Sequence, residues 1–386
     1  MRGISVKDMP INVCFPYVGR ELGGSHISSL GLIQNLDRSR YLPTVLLQYL
    51  DGPVFELFKD HTIDVKLAPQ SAALPFTKTF NVFSTFQATS SSYALSRFLN
   101  RNNFAIVHTN DGRTHATWAP PTKLAGRKLC WHHRGNPDAR GLRFVAPFLA
   151  DCVVSVSKFA SPKPAVISAA SKNHVVHSPF NIEIEEDANA ARQQIIADLN
   201  CDPSAKFVGY FGAFIERKRP VLFVDAIAEA IKAAPATKIY GLMFGEAYDT
   251  GERVLQRAKD LGIEENIKLM GFRSPGSFWL AGCDAMLVPA INEPFGRTLI
   301  EAMLVGTPII AADSGGTPEA IRHNETGLLT EPDNPVALGA ETANVLTNPE
   351  LKSRLISAAK IDARGRFGEK HHADAIMNLY DNLLGK

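Results

Sequence analysis

The sequence predicts an α/β protein built from two doubly wound, Rossmann-like domains. Strand-like apolar runs alternate with helical patterns along the chain, which is typical of parallel sheets covered by helices. The 386 residues exceed what one ordinary core holds, so two domains are expected. The charge balance also changes along the chain. Residues 1–180 contain 20 Lys+Arg against 10 Asp+Glu, whereas the remainder contains 21 against 29.

Ten apolar runs are predicted strands, five in each half of the chain. They are 11–15, 43–49, 104–108, 129–132 and 152–156, followed by 207–211, 238–244, 267–271, 285–289 and 307–312. An acidic, glycine-free stretch follows "HSPF" between the two sets and marks the domain boundary. We therefore expect an N-terminal domain of 1–182 and a C-terminal domain of 183–368. The final helix, 369–386, is expected to cross back to the first domain.

The composition is that of a soluble globular enzyme, with 45% apolar and 21% charged residues. No apolar run approaches the roughly 18 residues of a membrane-spanning helix, and the chain start reads as a strand instead of a signal peptide. Five cysteines lie far apart without a Cys-x-x-Cys pair. They are expected to be buried small residues in a reducing compartment, not a disulfide framework or a zinc site, which predicts a cytoplasmic protein.

The ten excess positive charges of residues 1–180 favour contact with an anion, such as a phosphate-bearing lipid at the inner face of the cytoplasmic membrane. Drift in surface composition is the alternative interpretation. Three aromatic residues beside Lys78 have two interpretations as well: Phe80, Phe83 and Phe86 either touch lipid or belong to the core, and stripes of this kind are more often core.

Two glutamates stand eight residues apart in "NEPFGRTLIEAMLVG", after the fourth predicted strand of the second half. Pro294 disfavours helical backbone at the residue before it, so Glu293 is expected in the loop. The helix is predicted over 297–305 and ends at Gly306. Glu301 lies on the side opposite the apolar residues of that helix. Both carboxylates can therefore face the same crevice.

The start of this helix offers backbone N–H groups around Phe295, Gly296 and Arg297, a positive end that suits a phosphate. Arg297 and Glu301 are also an i, i+4 pair, and such pairs are often only surface salt bridges. Glu301 alone therefore has both a functional and a structural interpretation.

The whole segment resembles the Glu-x7-Glu motif of the family-four retaining glycosyltransferases, enzymes of the two-domain GT-B fold. "SGGTPEAIRHNETGLLTEPDNP" is similar to the next loop and strand of that family. The resemblance implies that Glu301 holds the ribose hydroxyls of a sugar nucleotide and that Glu293 lies beside the donor sugar. It also implies that the second domain binds the donor, and we expect the acceptor to contact the first.

A basic cluster follows the first predicted strand of the second half, at the start of a helix that begins with Pro220. In the family, an arginine and a lysine of this loop bind the diphosphate. Lys218 matches the lysine, whereas Ala213 stands in place of the arginine. Arg217 or Arg219 could supply the second cation, unless it is missing or the cluster is only a solvated face.

The other candidate residues lie after strands of the first half. Gly23 and Gly24 resemble the family's glycine loop, which touches the donor phosphate or the acceptor, and His26 lies close by. Strand alternation sends His132 and His133 to opposite faces, so one of them can match the family's histidine beside the donor sugar.

We favour His132 for that role, and His133 is the second choice. The acceptor-side candidates are Asn110, Asp111, Arg113, His133 and Arg134, together with Gly23 and His26. The base is expected near Phe272 and Arg273.

The resemblance, together with these patterns, implies a retaining, metal-independent hexosyltransferase that uses a UDP- or GDP-sugar and a glycan, glycolipid or lipid-linked acceptor in cell-surface glycoconjugate synthesis. The chain contains no Asp-x-Asp metal motif, so Lys218 and the helix end at 295–297 would stabilise the departing diphosphate. No cofactor, metal or nucleic acid is expected. Two alternatives remain: a sugar-nucleotide 2-epimerase, and a binding subunit of the same fold that Ala213 has impaired.

Overall fold

The computed structural model describes residues 9–70 and 82–386, without the side chains of 82–90. The chain divides into two compact units, Met1–Pro179 with Glu369–Lys386 and Phe180–Gly368. Each unit contains one parallel sheet with helices connecting its strands, which confirms the predicted α/β class. The division lies three residues before the boundary expected from the sequence.

The first unit contains the N-terminal part of the chain and also the C-terminal helix. In chain order it contains β1 (Ile11–Tyr17), α1 (Gly24–Gln34), β2 (Tyr41–Leu47), α2 (Gly52–Asp60), β3 (Val65–Leu67), α3 (Val82–Arg101), β4 (Ile106–Thr109), α4 (Gly112–Leu124), β5 (Lys128–His133), α5 (Arg140–Phe144), α6 (Ala146–Leu149), β6 (Cys152–Ser155), β7 (Asn173–Val175) and α15 (Glu369–Leu384). The strand order is β3-β2-β1-β4-β5-β6-β7 in the described sheet.

The second unit repeats the architecture with a smaller sheet. It contains α7 (Ala188–Leu199), β8 (Lys206–Phe211), α8 (Pro220–Ala233), β9 (Ile239–Phe244), α9 (Thr250–Asp260), β10 (Ile267–Gly271), α10 (Gly276–Ala281), β11 (Ala285–Val288), α11 (Arg297–Val305), β12 (Ile309–Ala312), α12 (Thr317–Ala320), β13 (Leu328–Thr330), α13 (Pro335–Thr347) and α14 (Pro349–Arg366). The strand order is β10-β9-β8-β11-β12-β13.

Each sheet has a point where the strand order reverses. In the first unit it lies between β1 and β4, and in the second between β8 and β11. Connections from neighbouring strands leave on opposite faces there, which opens a crevice at the carboxyl ends of the strands. The loops predicted to carry function follow β1, β4, β5, β8 and β11, so they lie at or beside these crevices.

The central strands are buried on both faces, as their nearly continuous apolar runs require. In β1, Val13, Cys14 and Phe15 are fully buried. The C-terminal helix α15 joins the same core through Ile376 and Tyr380, which agrees with the polar–apolar pattern of its sequence. The C-terminal helix is therefore part of the core of the first unit.

The strands that sequence patterns missed lie at sheet edges. β3, β7 and β13 have three residues each, too few for a recognisable apolar run. β13 lies in the segment in which the family resemblance, not the apolar pattern, implied a strand. Cys201 is half-buried instead of buried, and all five cysteines are free thiols.

The aromatic stripe at 80, 83 and 86 stays a prediction, since Lys78 and Phe80 and the side chains of Phe83 and Phe86 lie outside the described residues. Across the described ranges, every helix is too short or too polar to span a membrane.

Candidate active site

The loop after β8 holds Lys218 over a glycine. Gly212 has a φ of +145°, and a Cβ at this position would lie 3.0–3.2 Å from Cδ, Cε and Nζ of Lys218. The lysine side chain therefore runs across the backbone at the carboxyl end of the strand. Glycine leaves room for that path, which a larger residue would obstruct.

Glu293 forms ion pairs with two of the predicted cations. Its Oε2 lies 3.4 Å from Nζ of Lys218 and also forms an ion pair with Nη1 of Arg217. The carboxylate is largely buried, whereas Arg217 is more exposed. The two loops are also joined through the backbone, because the N–H of Ile291 donates to the carbonyl oxygen of Arg217 at 2.8 Å. Two cations against one carboxylate leave a net positive charge at the crevice.

Helix α11 starts and ends as its sequence predicts. Gly296 caps its start with a φ of +83°, and Gly306 follows its end with a φ of +90°. Glu301 lies one turn into the helix and pairs with Arg297 at 3.5 Å, while the Arg297 guanidinium lies 4.3 Å from the Phe180 ring centre. Phe295 is buried, with its ring packed edge-on against Phe367. Only the backbone of Phe295 is therefore suited to contact a ligand.

The Glu293 loop is supported by Ser314, Gly315 and Gly316, which were not among the predicted site residues. The Ser314 hydroxyl accepts from the N–H of Asn292 at 3.1 Å, and the N–H of Gly316 donates to the Glu293 carbonyl oxygen at 2.8 Å. A Cβ on Gly315 would lie 2.6 Å from that oxygen, and one on Gly316 would lie 2.2 Å from the carbonyl oxygen preceding Phe295. The two glycines are therefore required for close backbone contact.

Three other donor-side candidates lie apart from this cluster. Arg219 forms ion pairs with Glu216 at 3.2 Å and Asp333 at 3.1 Å. Arg273 lies 5.0 Å above the Trp279 ring and donates to a backbone carbonyl, and Phe272 is exposed. Of the two cations considered as substitutes for an arginine at position 213, the structure brings Arg217 to Glu293 and Arg219 to other acids.

His132 lies in a buried hydrogen-bond chain of the first unit. Arg134 donates to its Nδ1 at 3.3 Å, and His108 Nε2 lies 3.1 Å from the same atom. Since Arg134 can only donate, Nδ1 is the acceptor and the proton of His132 is on Nε2. His108 then donates from Nε2, and its Nδ1 accepts from the Tyr380 hydroxyl at 2.5 Å.

Burial, reinforced by the charge of Arg134, holds the pKa of His132 well below its usual value. The ring is therefore neutral near pH 7, and no described residue accepts from its Nε2–H. A neutral imidazole in this tautomer donates a hydrogen bond from Nε2. His108, its partner, and Tyr380, the partner of His108, lie too far away in sequence for this chain to have been predicted.

The acceptor-side candidates meet at the ends of β4 and β5. Arg134 donates to the Asn110 side-chain oxygen at 3.3 Å and to the Ser178 hydroxyl at 3.2 Å. Asp111 caps α4 by accepting from the N–H of Thr114 at 3.0 Å, and Arg113 pairs with Glu21 at 2.9 Å. Asn110 and Arg134 therefore form one cluster with His132, whereas the ion pair of Arg113 leads to Glu21 in the loop after β1.

The glycine loop after β1 begins α1. Gly24 is its first residue and Gly23 its N-cap, and the Gly23 N–H donates to Nδ1 of His26 at 3.1 Å. Burial lowers the pKa of His26 below its ordinary value. Its ring packs 5.0 Å from that of Tyr17. In this conformation His26 stabilises the start of the helix.

A cavity of about 590 Å³ opens on the other face of β5. Asn110, Asp111, His133 and Arg134 line one part of it, and the remainder is mostly apolar. Trp131 stacks on His115 in its wall, with ring centres 4.0 Å apart. His132 and His133 thus lie on opposite faces, as strand alternation predicts, and His133 faces the cavity.

Six buried histidines of the first unit have lowered pKa values, and burial is the main cause in each. They are His26, His108, His115, His132, His133 and His372. The pKa of His372 falls from 6.5 to about 3. As the pH falls, such groups take up protons in the unfolded chain before they do so in the folded one. Their contribution to stability is therefore present above pH 6.5 and decreases below it, for His372 until the pH nears about 3.

We expect the first unit to lose stability between pH 7 and pH 5, and His372→Gln to weaken that dependence by up to about 1.4 kcal/mol per pH unit. Chemical unfolding at several pH values measures the effect. His371→Gln is the matched control, since His371 is the exposed neighbour. Equal pH slopes in both variants would contradict the assignment.

No group of three or more His, Cys, Asp or Glu that could hold a metal ion occurs in the ranges 9–70 and 82–386.

Residues 191–362 match the family model described as glycosyl transferases group 1. A D-inositol 3-phosphate glycosyltransferase from Segniliparus rotundus is 32% identical over 203 residues, which are 51% of this chain and 44% of that protein. One from Streptomyces bingchenggensis is 30% identical over 221 residues, or 54% and 48%. The chain spans about half the length of these curated relatives.

Solved structures match over nearly the whole chain. HepE from Anabaena, crystallised with UDP and glucose, has a TM-score of 0.79 at 21% identity and covers 96% of this chain and 100% of its own. Sucrose-phosphate synthase from Thermosynechococcus elongatus has a TM-score of 0.75 at 18% identity, covering 97% and 99%. At these identities the likeness shows a shared fold.

Proposed function

We propose that the chain is a retaining, metal-independent hexosyltransferase, because it has the GT-B fold and residues 191–362 of its second unit match the family model of the group 1 glycosyl transferases. The donor is a UDP- or GDP-sugar, and the acceptor is a hydroxyl group of a glycan, a glycolipid or a lipid-linked oligosaccharide. The proposed role is in cell-surface glycoconjugate synthesis.

The observation that carries this proposal is the meeting of Lys218, Arg217 and Glu293 at the crevice between β8 and β11. Negative charge builds on the diphosphate as the glycosidic bond breaks. Two fixed cations and the N-terminus of α11 are suited to stabilise that charge. In this proposal Arg217 supplies the contact that Ala213 cannot, and Glu293 positions the donor sugar.

We assign His132 a hydrogen bond to an oxygen of the donor sugar. Its Nε2–H is a buried donor without an acceptor among the described residues, and such groups are costly to leave unpaired. A neutral histidine with its proton on Nε2 is unsuited to remove a proton through that atom. The diphosphate takes the acceptor's proton instead, and the acceptor hydroxyl attacks on the face that the diphosphate leaves.

A thermal-shift screen tests the donor site, starting with UDP-glucose because HepE was crystallised with UDP and glucose, and continuing with GDP-sugars. The donor at a hundredfold excess over its Kd adds roughly 2.7 kcal/mol of stability. We expect Glu301→Ala, which removes the proposed ribose contact, to weaken donor binding about tenfold to a hundredfold.

Glu325→Ala is the matched control, since Glu325 also pairs with a nearby arginine but is more exposed. A full shift in the Glu301 variant would contradict the ribose assignment. Incubating the stabilising donor without an acceptor then separates the function classes. An epimerase would change the sugar, and a binding subunit would bind the donor but transfer nothing to any acceptor tested. Transfer that persists with EDTA supports the metal-independent mechanism.

A further inference from the structure

An exposed apolar surface projects from the first unit, beside the cavity at β5. Its large side chains are Phe144 and Phe148 on α5 and α6 and Val166 and Ile167 in the loop that follows β6, each at least 60% exposed. A groove of about 670 Å³ runs among Phe144, Phe148 and Ile167. Apolar side chains in such a group mark an interaction site more often than isolated ones do.

This apolar surface is held in place by specific contacts. Lys172 donates to the carbonyl oxygens of Pro147 at 2.9 Å and Ala150 at 2.8 Å, which ties α6 to the turn before β7. The Ser168 hydroxyl donates to the Lys163 carbonyl oxygen at 2.7 Å and closes the loop that carries Val166 and Ile167. The apolar side chains are therefore presented by an ordered framework.

The segment that carries the apolar surface is mostly basic. Residues 134–172 contain six Lys+Arg and two Asp+Glu, and Arg143, Lys163 and Asp138 line the groove. Both acids are in ion pairs, Asp138 with Lys163 at 3.2 Å and Asp151 with Lys123 at 2.7 Å. Arg143 lies 5.3 Å from the Phe144 ring centre. Aromatic side chains among exposed cations are suited to the interface of an anionic bilayer, where rings enter the headgroup region and cations meet lipid phosphates.

The groove and the β5 cavity share Leu142 in their walls. The exposed surface therefore lies next to the cavity that His133 and Arg134 line, with the buried side chain of Leu142 between them. We propose that the surface of Phe144, Phe148, Val166 and Ile167 docks on an anionic lipid bilayer and that the cavity receives the apolar part of a lipid-anchored acceptor. The second half of this proposal rests on the proposed glycosyl transfer.

Vesicle sedimentation tests the docking without any transfer assay. We expect the protein to sediment with vesicles of phosphatidylcholine and phosphatidylglycerol in equal parts, and far less with phosphatidylcholine alone. Phe144→Ser with Phe148→Ser should lower the bound-to-free ratio by at least about tenfold. The matched control is Tyr93→Ser with Leu124→Ser, since both residues are equally exposed in the same unit.

Three results would overturn the docking: no sedimentation with either vesicle, an equal loss in the control pair, or a dimer in solution that the two serines abolish. The donor-induced thermal shift is recorded for the same variant and should equal that of the wild type. A missing shift in the wild type would instead count against the donor site, so the two proposals fail separately.

The cavity is tested with alkyl glucosides as probes. We expect octyl glucoside, below its micelle concentration, to raise the melting temperature more than methyl glucoside does. Ala116 lines the cavity and is half-buried, so Ala116→Phe should fill the space and remove the difference. Equal shifts for the two probes in the wild type would overturn the role given to the cavity.

Discussion

Lys218→Ala should lower kcat/KM for the nucleotide-sugar donor by about a hundredfold or more and remove the donor's thermal stabilisation. Fixed groups that meet developing charge contribute about 10²–10³ in rate each, because they are already oriented when the charge forms. Lys218 is such a group, since its chain lies over Gly212 and its ammonium lies 3.4 Å from Glu293. Initial rates with the donor varied, together with thermal shifts, measure both effects.

Arg219→Asn is the matched control for this lysine. Arg219 is the next residue and carries the same charge, but its ion pairs lead to Glu216 and Asp333. Its φ is +51°, a conformation that asparagine tolerates better than alanine does. We expect kcat/KM to stay within about threefold of the wild type. If the asparagine variant loses as much activity as the alanine variant, the cluster acts as a diffuse positive surface and the specific role of Lys218 is wrong.

The sequence predicted the second unit's strand–helix units well because their signals are local. The bounds of α11 agree with Pro294, Gly296 and Gly306, and α8 starts at Pro220 as its sequence indicates. The family resemblance rests on the same short-range pattern. It therefore pointed to Glu293 and Lys218 as site residues, and the structure brings the two side chains to 3.4 Å although 75 positions separate them.

Contacts between distant segments had no such signal. The chain from Tyr380 through His108 to His132 joins α15 to β4 and β5, and neither His108 nor Tyr380 lies in a recognisable motif. Nothing in the sequence indicated that Arg217 and Arg219 form ion pairs with different acids. They do so because the left-handed backbone at Arg219 turns the two side chains in different directions. Short edge strands were missed for a simpler reason, since three residues carry no readable period.

The glycines at 315 and 316 pack against the backbone of the loop that carries Glu293. Gly316→Ala should lower kcat/KM by about a hundredfold and destabilise the second unit by roughly 1–3 kcal/mol. Gly316 has a φ of −86°, so its conformation suits alanine and the effect is steric. The new Cβ would lie 2.2 Å from the Pro294 carbonyl oxygen, and backbone cannot rotate away as a flexible side chain can. The loop must therefore move, and Glu293 moves with it.

Gly365→Ala separates this effect from a general intolerance of alanine. Gly365 lies in α14 with open space around its Cβ direction, so alanine there should stabilise the protein by up to about 1 kcal/mol and leave kcat/KM unchanged. Rates are compared well below both melting temperatures, so that each variant is folded. If Gly316→Ala melts earlier yet keeps full activity, Glu293 tolerates displacement, and its proposed role in positioning the donor sugar is wrong.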